Sequence, residues 1–584
     1  MPDFSRTAPA RCVFSVQDLH GRTWHSWQPG KEEPRPLPSL RGIGSNVRIS
    51  PSGEHIWWFD DLFGDQAGRW RRTPFEGGES VDAMPQAPSG GARGLVLGMT
   101  GTAVAALAVP GVGHEVHLLS PGGECRNIHS GEAPVQAAGL SADESLVLLL
   151  HARHGNARCP AMQVLDTEGR TIGELWDGVG RGLETYPQLA SFSPVPGDDR
   201  VVARHERRGR TGLLLWSVRT GKVTELPLPL PGDVTGGFTA DGSALLIVHT
   251  HRGRTGLYRY HLGSARLEEI ENRYGVVESV TSLPDGRAWY VWSSSVSPPA
   301  VLDEDRSPVL GPVTGTAVEA AAHAVPQPFE TRTAAGPRIP GWITMPVGVP
   351  RPAPAVFLLH GGPRAHDGEE FSAEALAWQD AGFAVVRVNY RGSTGYGCAW
   401  RDAALGDVGL AELQDVNAVR ADLVSRGLVD ADRCLLAGGS WGGYLALLGA
   451  GLDPENWACV LASSPIADYV AAYEQEPPIL QAFDRAMFGG SPSEVPERYR
   501  RASPASYADR VKAPLLLIVG NADTRCPPQQ TRGYLDRLRA RGADVEFHLV
   551  QGGHGAASGH DELHRLRLQL DFARRKAGTR EVSP

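Results

Sequence analysis

Lysine is nearly missing from this chain: Lys31, Lys222, Lys512 and Lys576 are the only four among 57 basic residues. That bias fits a GC-rich genome and carries no chemistry. Cysteine is sparse as well. Cys12, Cys125, Cys159, Cys398, Cys434, Cys459 and Cys526 lie far apart with no Cys-x-x-Cys pair, which argues against a disulfide framework and a zinc site and for reduced thiols. No segment reaches the roughly 18 uninterrupted apolar residues of a membrane span. The start, Met1-Pro2-Asp3-Phe4-Ser5-Arg6, has no basic stretch followed by an apolar run, so a cytoplasmic protein is expected. The net charge is −9 and no block of one sign stands out; neither nucleic acid nor an anionic membrane is an expected partner. No cofactor and no metal is expected. Small substrates, uncharged or cationic, suit this balance.

What the chain does have is length and two contrasting halves. Its 584 residues exceed one ordinary domain. Through the first three hundred, short alternating strands recur behind similar turns: Ser50-Pro51-Ser52-Gly53, Ser141-Ala142-Asp143-Glu144, Ser193-Pro194, Thr239-Ala240-Asp241-Gly242 and Leu283-Pro284-Asp285-Gly286. Apolar bursts follow most of them, such as Ile56-Trp57-Trp58-Phe59 and Leu146 to Leu150. The later turns are about 45 to 50 residues apart, the length of one four-stranded propeller blade. Counting a degenerate blade near Leu95 to Val104, six or seven blades fit and seven is expected. A β-sandwich is the competing architecture. Trp57 and Trp58 read as blade packing, and the arginine clusters Arg207-Arg208-Gly209-Arg210 and Arg252-Gly253-Arg254 as solvated hairpin turns.

Near residue 320 the pattern changes. The alanine-rich Glu319 to Ala324 and Pro326 and Pro328 come first, with a hairpin expected around Ala335-Gly336-Pro337. Strands then alternate with amphipathic helices, predicting a propeller over 1–320 and a mostly parallel, doubly wound α/β sheet over 321–584. Within it, the apolar strand Arg433 to Ala437 runs into Gly438-Gly439-Ser440-Trp441-Gly442. This Gly-x-Ser-x-Gly turn is a nucleophile elbow, kept small because side chains there would collide with strand and helix. The strand Pro514 to Val519 opens into a loop holding Asp523, and the strand Val545 to Val550 into Gly552-Gly553-His554. Ser, Asp and His thus follow in the chain order of an α/β-hydrolase, each just past a strand end. Asp544 precedes its strand, His548 lies inside it, and His560 and His564 open the last helix, so they are poorer candidates.

Together His360-Gly361-Gly362-Pro363, Asn389 to Gly397, Gly438 to Tyr444, Asp523-x-Arg525-x-Pro527 and Gly553-His554-Gly555 resemble the prolyl oligopeptidase family of serine peptidases, its acylaminoacyl-peptidase branch above all. The resemblance implies a β-propeller in front of an α/β-hydrolase domain and cleavage of short peptides or aminoacyl amides. It implies Ser440 as nucleophile with Asp523 and His554, the N–H groups of Gly362 and Trp441 as an oxyanion hole, Arg525 as a ligand for a substrate carbonyl, and assembly into a homo-oligomer. Trp441 stands where tyrosine is more usual, which alters the pocket wall and leaves the backbone donor intact.

Specificity is less legible. Tyr469, Tyr473, Phe483 and Phe488 either line the pocket for the residue before the cleaved bond or form a helix core. Glu474 and Glu476 share the segment; turned inward they would attract a free substrate amine, and turned to solvent they would leave an acylated N-terminus as the better fit. Three readings follow: a peptidase releasing an N-terminal residue, a narrow amidase on an aminoacylated metabolite, and a non-catalytic propeller that binds partners.

Overall fold

Seven four-stranded antiparallel sheets follow one another along the first half of the chain, each made from four consecutive strands, from Asp3–Phe4 to Pro308–Leu310. The computed structural model describes residues 2–7, 10–31, 33–40, 46–61, 68–154, 160–178, 190–311, 324–333, 336–555 and 558–577. The expected boundary near residue 320, Ala335 of the expected hairpin, and Cys159 lie outside the described residues.

The recurring turn closes the first hairpin of a blade through its own side chains. Ser141 Oγ donates to Asp143 at 2.6 Å and accepts the Leu146 N–H at 2.9 Å. Thr239 repeats this with Asp241 at 2.6 Å and Ala244 N–H at 3.1 Å. The blade expected to be degenerate is complete, with strands Gly91–Leu97, Ala103–Val109, Gly113–Leu119 and Cys125–Gly131. Its first hairpin turns through Gly101 at φ 100° instead of a Ser-x-Asp unit, which hid it from the repeat. Trp57 and Trp58 are both buried and enter different apolar clusters. Successive strand residues face opposite sides, and each blade is covered on both. Because no blade mixes strands from the two ends of the ring, side-chain packing closes it: Cys12, Phe14 and Trp27 of the first blade meet Leu283, Trp289 and Val291 of the seventh.

The second half forms one eight-stranded sheet. Its strands are β1 (Gln327–Arg332), β2 (Arg338–Thr344), β3 (Ala353–Leu359), β4 (Ala384–Val388), β5 (Val429–Gly439), β6 (Cys459–Ser463), β7 (Leu515–Gly520) and β8 (Val545–Val550). They lie in the order β1-β2-β4-β3-β5-β6-β7-β8, parallel from β4 onward. Alternate residues feed two cores: Phe357, Val386 and Leu436 pack on one face, Val356, Val385 and Leu435 on the other. Leu413, Val416, Val419 and Leu423 of helix α1 (Leu410–Ser425) fill the first core, and Phe572 and Ala573 of the last helix, Gly559–Ala577, the second.

The arginine turn at residues 252–254 is an exposed hairpin, as expected, and it also reaches the hydrolase half. Arg254 pairs at 2.8 Å with the fully buried Glu369 of the hydrolase half, which also accepts the Gly275 N–H at 3.1 Å. Arg252 lies 3.4 Å from Glu330. A second pair, Arg401 with Glu206, crosses the same junction and is buried on both sides.

Candidate active site

Ser440 sits between β5 and helix α2 (Trp441–Leu452) with φ 54° and ψ −119°, a conformation side chains rarely adopt. The turn is held where chains nearly touch. A Cβ on Gly442 would lie 2.0 Å from the Leu359 carbonyl oxygen, and one on Gly438 2.5 Å from the Gly442 backbone. Glycine is required at both. The Ser440 N–H donates to Ser463 O at 2.8 Å, tying the elbow to β6.

His554 and Asp523 converge on this serine from the loops after β8 and β7. The Ser440 Oγ to His554 Nε2 distance is 2.8 Å, and His554 Nδ1 lies 2.9 and 3.1 Å from the two oxygens of Asp523. With Nδ1 protonated, the imidazole donates to the carboxylate and Nε2 accepts from serine. Backbone N–H groups of Arg525 and Cys526 donate to Asp523 Oδ1 at 2.9 and 2.8 Å. Burial alone would raise the pKa of this carboxyl, but the bonds from His554 and these N–H groups hold it below the usual carboxylate range. The histidine loop is itself fastened, since Ser464 Oγ donates to His554 O at 3.1 Å.

The remaining sequence candidates separate by position. A Cβ on Gly361 would lie 3.7 Å from Ser440 Cβ, so the turn after β3 borders the elbow. Among the described residues the N–H groups of Gly362 and Trp441 have no acceptor. Arg525 is exposed and its guanidinium makes no hydrogen bond or ion pair there. Tyr469 and Phe488 are fully buried, with ring centroids 5.0 Å apart. Tyr473 and Phe483 are half-buried beside them. Of the two glutamates, Glu474 is exposed and Glu476 is buried. The rival His548 pairs with Glu546 at 2.9 Å, and Asp544 with Lys576.

Sequence reading missed the support behind the β3 turn. Tyr390 stacks on His360 at 4.3 Å and donates to its carbonyl at 2.7 Å, while Ser393 Oγ meets His360 Nε2 at 2.9 Å. Burial pushes His360 down to about 4, which keeps this ring neutral. Both partners lie in the Asn389 to Gly397 motif, which was the available signal. Among the described residues, two clusters bring metal-ligand types together: Asp523, Cys526 and His554, and His151, His154 and Glu174. In the first, burial and Asp523 push the Cys526 thiol far up, disfavouring a thiolate; in the second, the Arg153 guanidinium already lies 3.4 Å from Glu174.

The family model described as prolyl oligopeptidase family matches residues 369–580. Residues 369–580 form a prolyl oligopeptidase family domain. Upstream of this family match, the alignment with the acylamino-acid-releasing enzyme of Rattus norvegicus extends well into the propeller: 27% identity over 75% of this chain and 58% of that one. The chain thus spans just over half the length of that curated relative. Among solved structures, a puromycin hydrolase superposes with TM-score 0.84 at 20% identity, covering 100% of this chain and 95% of that one. The acylaminoacyl peptidase of Pyrococcus horikoshii gives 0.76 at 18%, covering 100% and 97%. These likenesses show the fold, a seven-bladed propeller ahead of an α/β-hydrolase sheet. No helix among the described residues is long and apolar enough to cross a membrane.

Proposed function

We propose that this protein is a serine peptidase that releases an N-terminal residue, free or acylated, from short peptides or aminoacyl amides. The observation that carries this reading is the hydrogen-bonded chain Ser440–His554–Asp523 at a strained elbow. Ser440 Oγ bonds to the acyl carbon as its proton passes to His554 Nε2, and Asp523 steadies the imidazolium. The carbonyl oxygen gathers negative charge, which the Gly362 and Trp441 N–H groups meet; losing one such donor costs about 3 to 4 kcal/mol. The C–N bond then breaks and the leaving amine takes the proton from Nε2. Water attacks the acyl-enzyme by the same route and frees the acid and Ser440. In this reading Arg525 holds a substrate carbonyl, and the propeller, residues 1–320, limits entry to small substrates.

A fluorophosphonate probe tests this directly. It labels Ser440 covalently, peptide mass spectrometry places the adduct there, and Ser440→Ala abolishes both labelling and turnover. Undiminished labelling of a folded Ser440→Ala protein refutes the assignment.

A further inference from the structure

Helices α3 (Tyr469–Gln475) and α4 (Pro478–Phe488) carry two acids that the reaction above does not use. Glu476 and Asp484 are 6% and 4% exposed, and Glu476 Oε2 and Asp484 Oδ2 have no hydrogen-bond partner. Two donors nearby are equally unpartnered and buried, Trp441 Nε1 and Tyr469 Oη. Native proteins leave few such groups, and several gathered in one place mark a site for a polar ligand.

This place adjoins the elbow. Trp441 directly follows Ser440, and its ring centroid is 6.5 Å from that of Tyr469. Tyr469 feels the charges of both acids, and Cys526 feels those acids together with Asp523. Cys526, whose N–H donates to the triad carboxylate at 2.8 Å, is thus close enough to the acidic pair to feel its charge. The neighbouring cation, Arg485, is exposed and donates to Tyr473 Oη at 3.3 Å.

We propose that Glu476 and Asp484 form a cation subsite beside Ser440 that selects substrates bearing a protonated amine or guanidinium on the acyl side of the scissile bond. This rests on the peptidase reading and narrows it, against neutral acylated residues. A carboxylate pair in an aromatic wall lacks a counter-charge, and a monocation supplies it while its N–H groups satisfy the orphaned oxygens. Burial pushes Glu476 up to about 7 and Asp484 well above the carboxylate range, with Glu476 adding to the latter. A monocation bound between the two carboxyls favours the ionised form of the pair. Both the α-amine of an N-terminal residue and a basic side chain have this chemistry.

Protection of Ser440 from fluorophosphonate labelling reads the subsite without requiring turnover. Three competitors are titrated against the full-length protein: phenylalaninamide, cationic at its α-amine; N-acetylargininamide, cationic in its side chain; and N-acetylphenylalaninamide, neutral. At least one cationic amide should protect at a concentration at least tenfold lower than the neutral one, and which does so identifies the source of the cation. Glu476→Gln and Asp484→Asn should each erase that difference. Equal protection by all three, or by none, overturns the subsite, as does a preference that survives both substitutions. Failure of the probe to label Ser440 at all refutes the peptidase reading instead.

Discussion

Replacing Asp523 by asparagine preserves shape while removing charge, and the surrounding bonds dictate how the amide must sit. The N–H groups of Arg525 and Cys526 both donate to Oδ1, at 2.9 and 2.8 Å, so the amide oxygen takes that position. Its NH2 then occupies the place of Oδ2, 2.9 Å from His554 Nδ1. Two donors cannot face each other there, so the imidazole must carry its proton on Nε2. Nε2 now donates toward Ser440 Oγ at 2.8 Å and no longer takes its proton. A wrong tautomer of this kind costs about 10⁴-fold in turnover, or about 5.4 kcal/mol. The assay is kcat on phenylalanine p-nitroanilide for native and Asp523→Asn protein, with the labelling rate of Ser440 measured alongside and a melting curve to establish the fold. Both rates should fall together. A folded variant that turns over within tenfold of the native protein would refute the triad geometry argued above.

Two further substitutions test the scaffold. Gly442→Ala places a methyl 2.0 Å from a backbone carbonyl and should cost about 4 kcal/mol or more in chemical denaturation, whereas Gly439→Ala, with its nearest neighbour 3.9 Å away, should cost under about 1 kcal/mol; similar losses at both positions would discredit the close-approach argument. Glu412 in α1 is fully buried, and burial, against weaker backbone contacts from Glu412 and Gly409 and with Asp415 adding to it, pushes it up to about 8. A carboxyl raised by folding holds its proton more tightly folded, so stability is complete below the ordinary glutamate value and is lost as pH rises through about 8, up to about 5 kcal/mol. Glu412→Gln should therefore melt like the native protein near about pH 4 and above it near about pH 9; parallel melting curves across that range would count against the buried acid.

The parts of the molecule that could be read from the chain are those fixed by neighbours in sequence. Gly438 and Gly442 flank Ser440 because the elbow is made within five residues, and Asp523 and His554 follow apolar runs that could only be buried strands. The third blade was harder, since its hairpin turns on Gly101 without the Ser-x-Asp unit that Ser141 and Thr239 display. Glu474 and Glu476 were indistinguishable for a related reason: which of two acids at a helix end turns inward depends on the packing of α4 against α3. Arg254 was beyond reach, because nothing near it in sequence announces Glu369, 115 residues further on.

That last contact alters how the two halves relate. The segment from His360 to Phe371 carries Gly362, and it is fastened on one side to β4 and the residue beyond it. Arg387 donates to Gly368 O at 2.7 Å, and Asn389 Oδ1 accepts the Asp367 N–H at 2.7 Å. On its other side it is fastened to the sixth blade, where Gly253 O accepts the Glu369 N–H at 3.1 Å and a Cβ on Gly368 would strike that same oxygen at 2.2 Å. Glu369 has no exposure of its own, and burial raises its pKa against the pull of the Gly275 N–H and Arg254. Parting the halves here would strip a carboxylate of its partners while opening a backbone contact that only paired glycines permit. The strand-end turn that carries Gly361 and Gly362 beside Ser440 is therefore positioned by both halves, and the propeller belongs to the framework of the site.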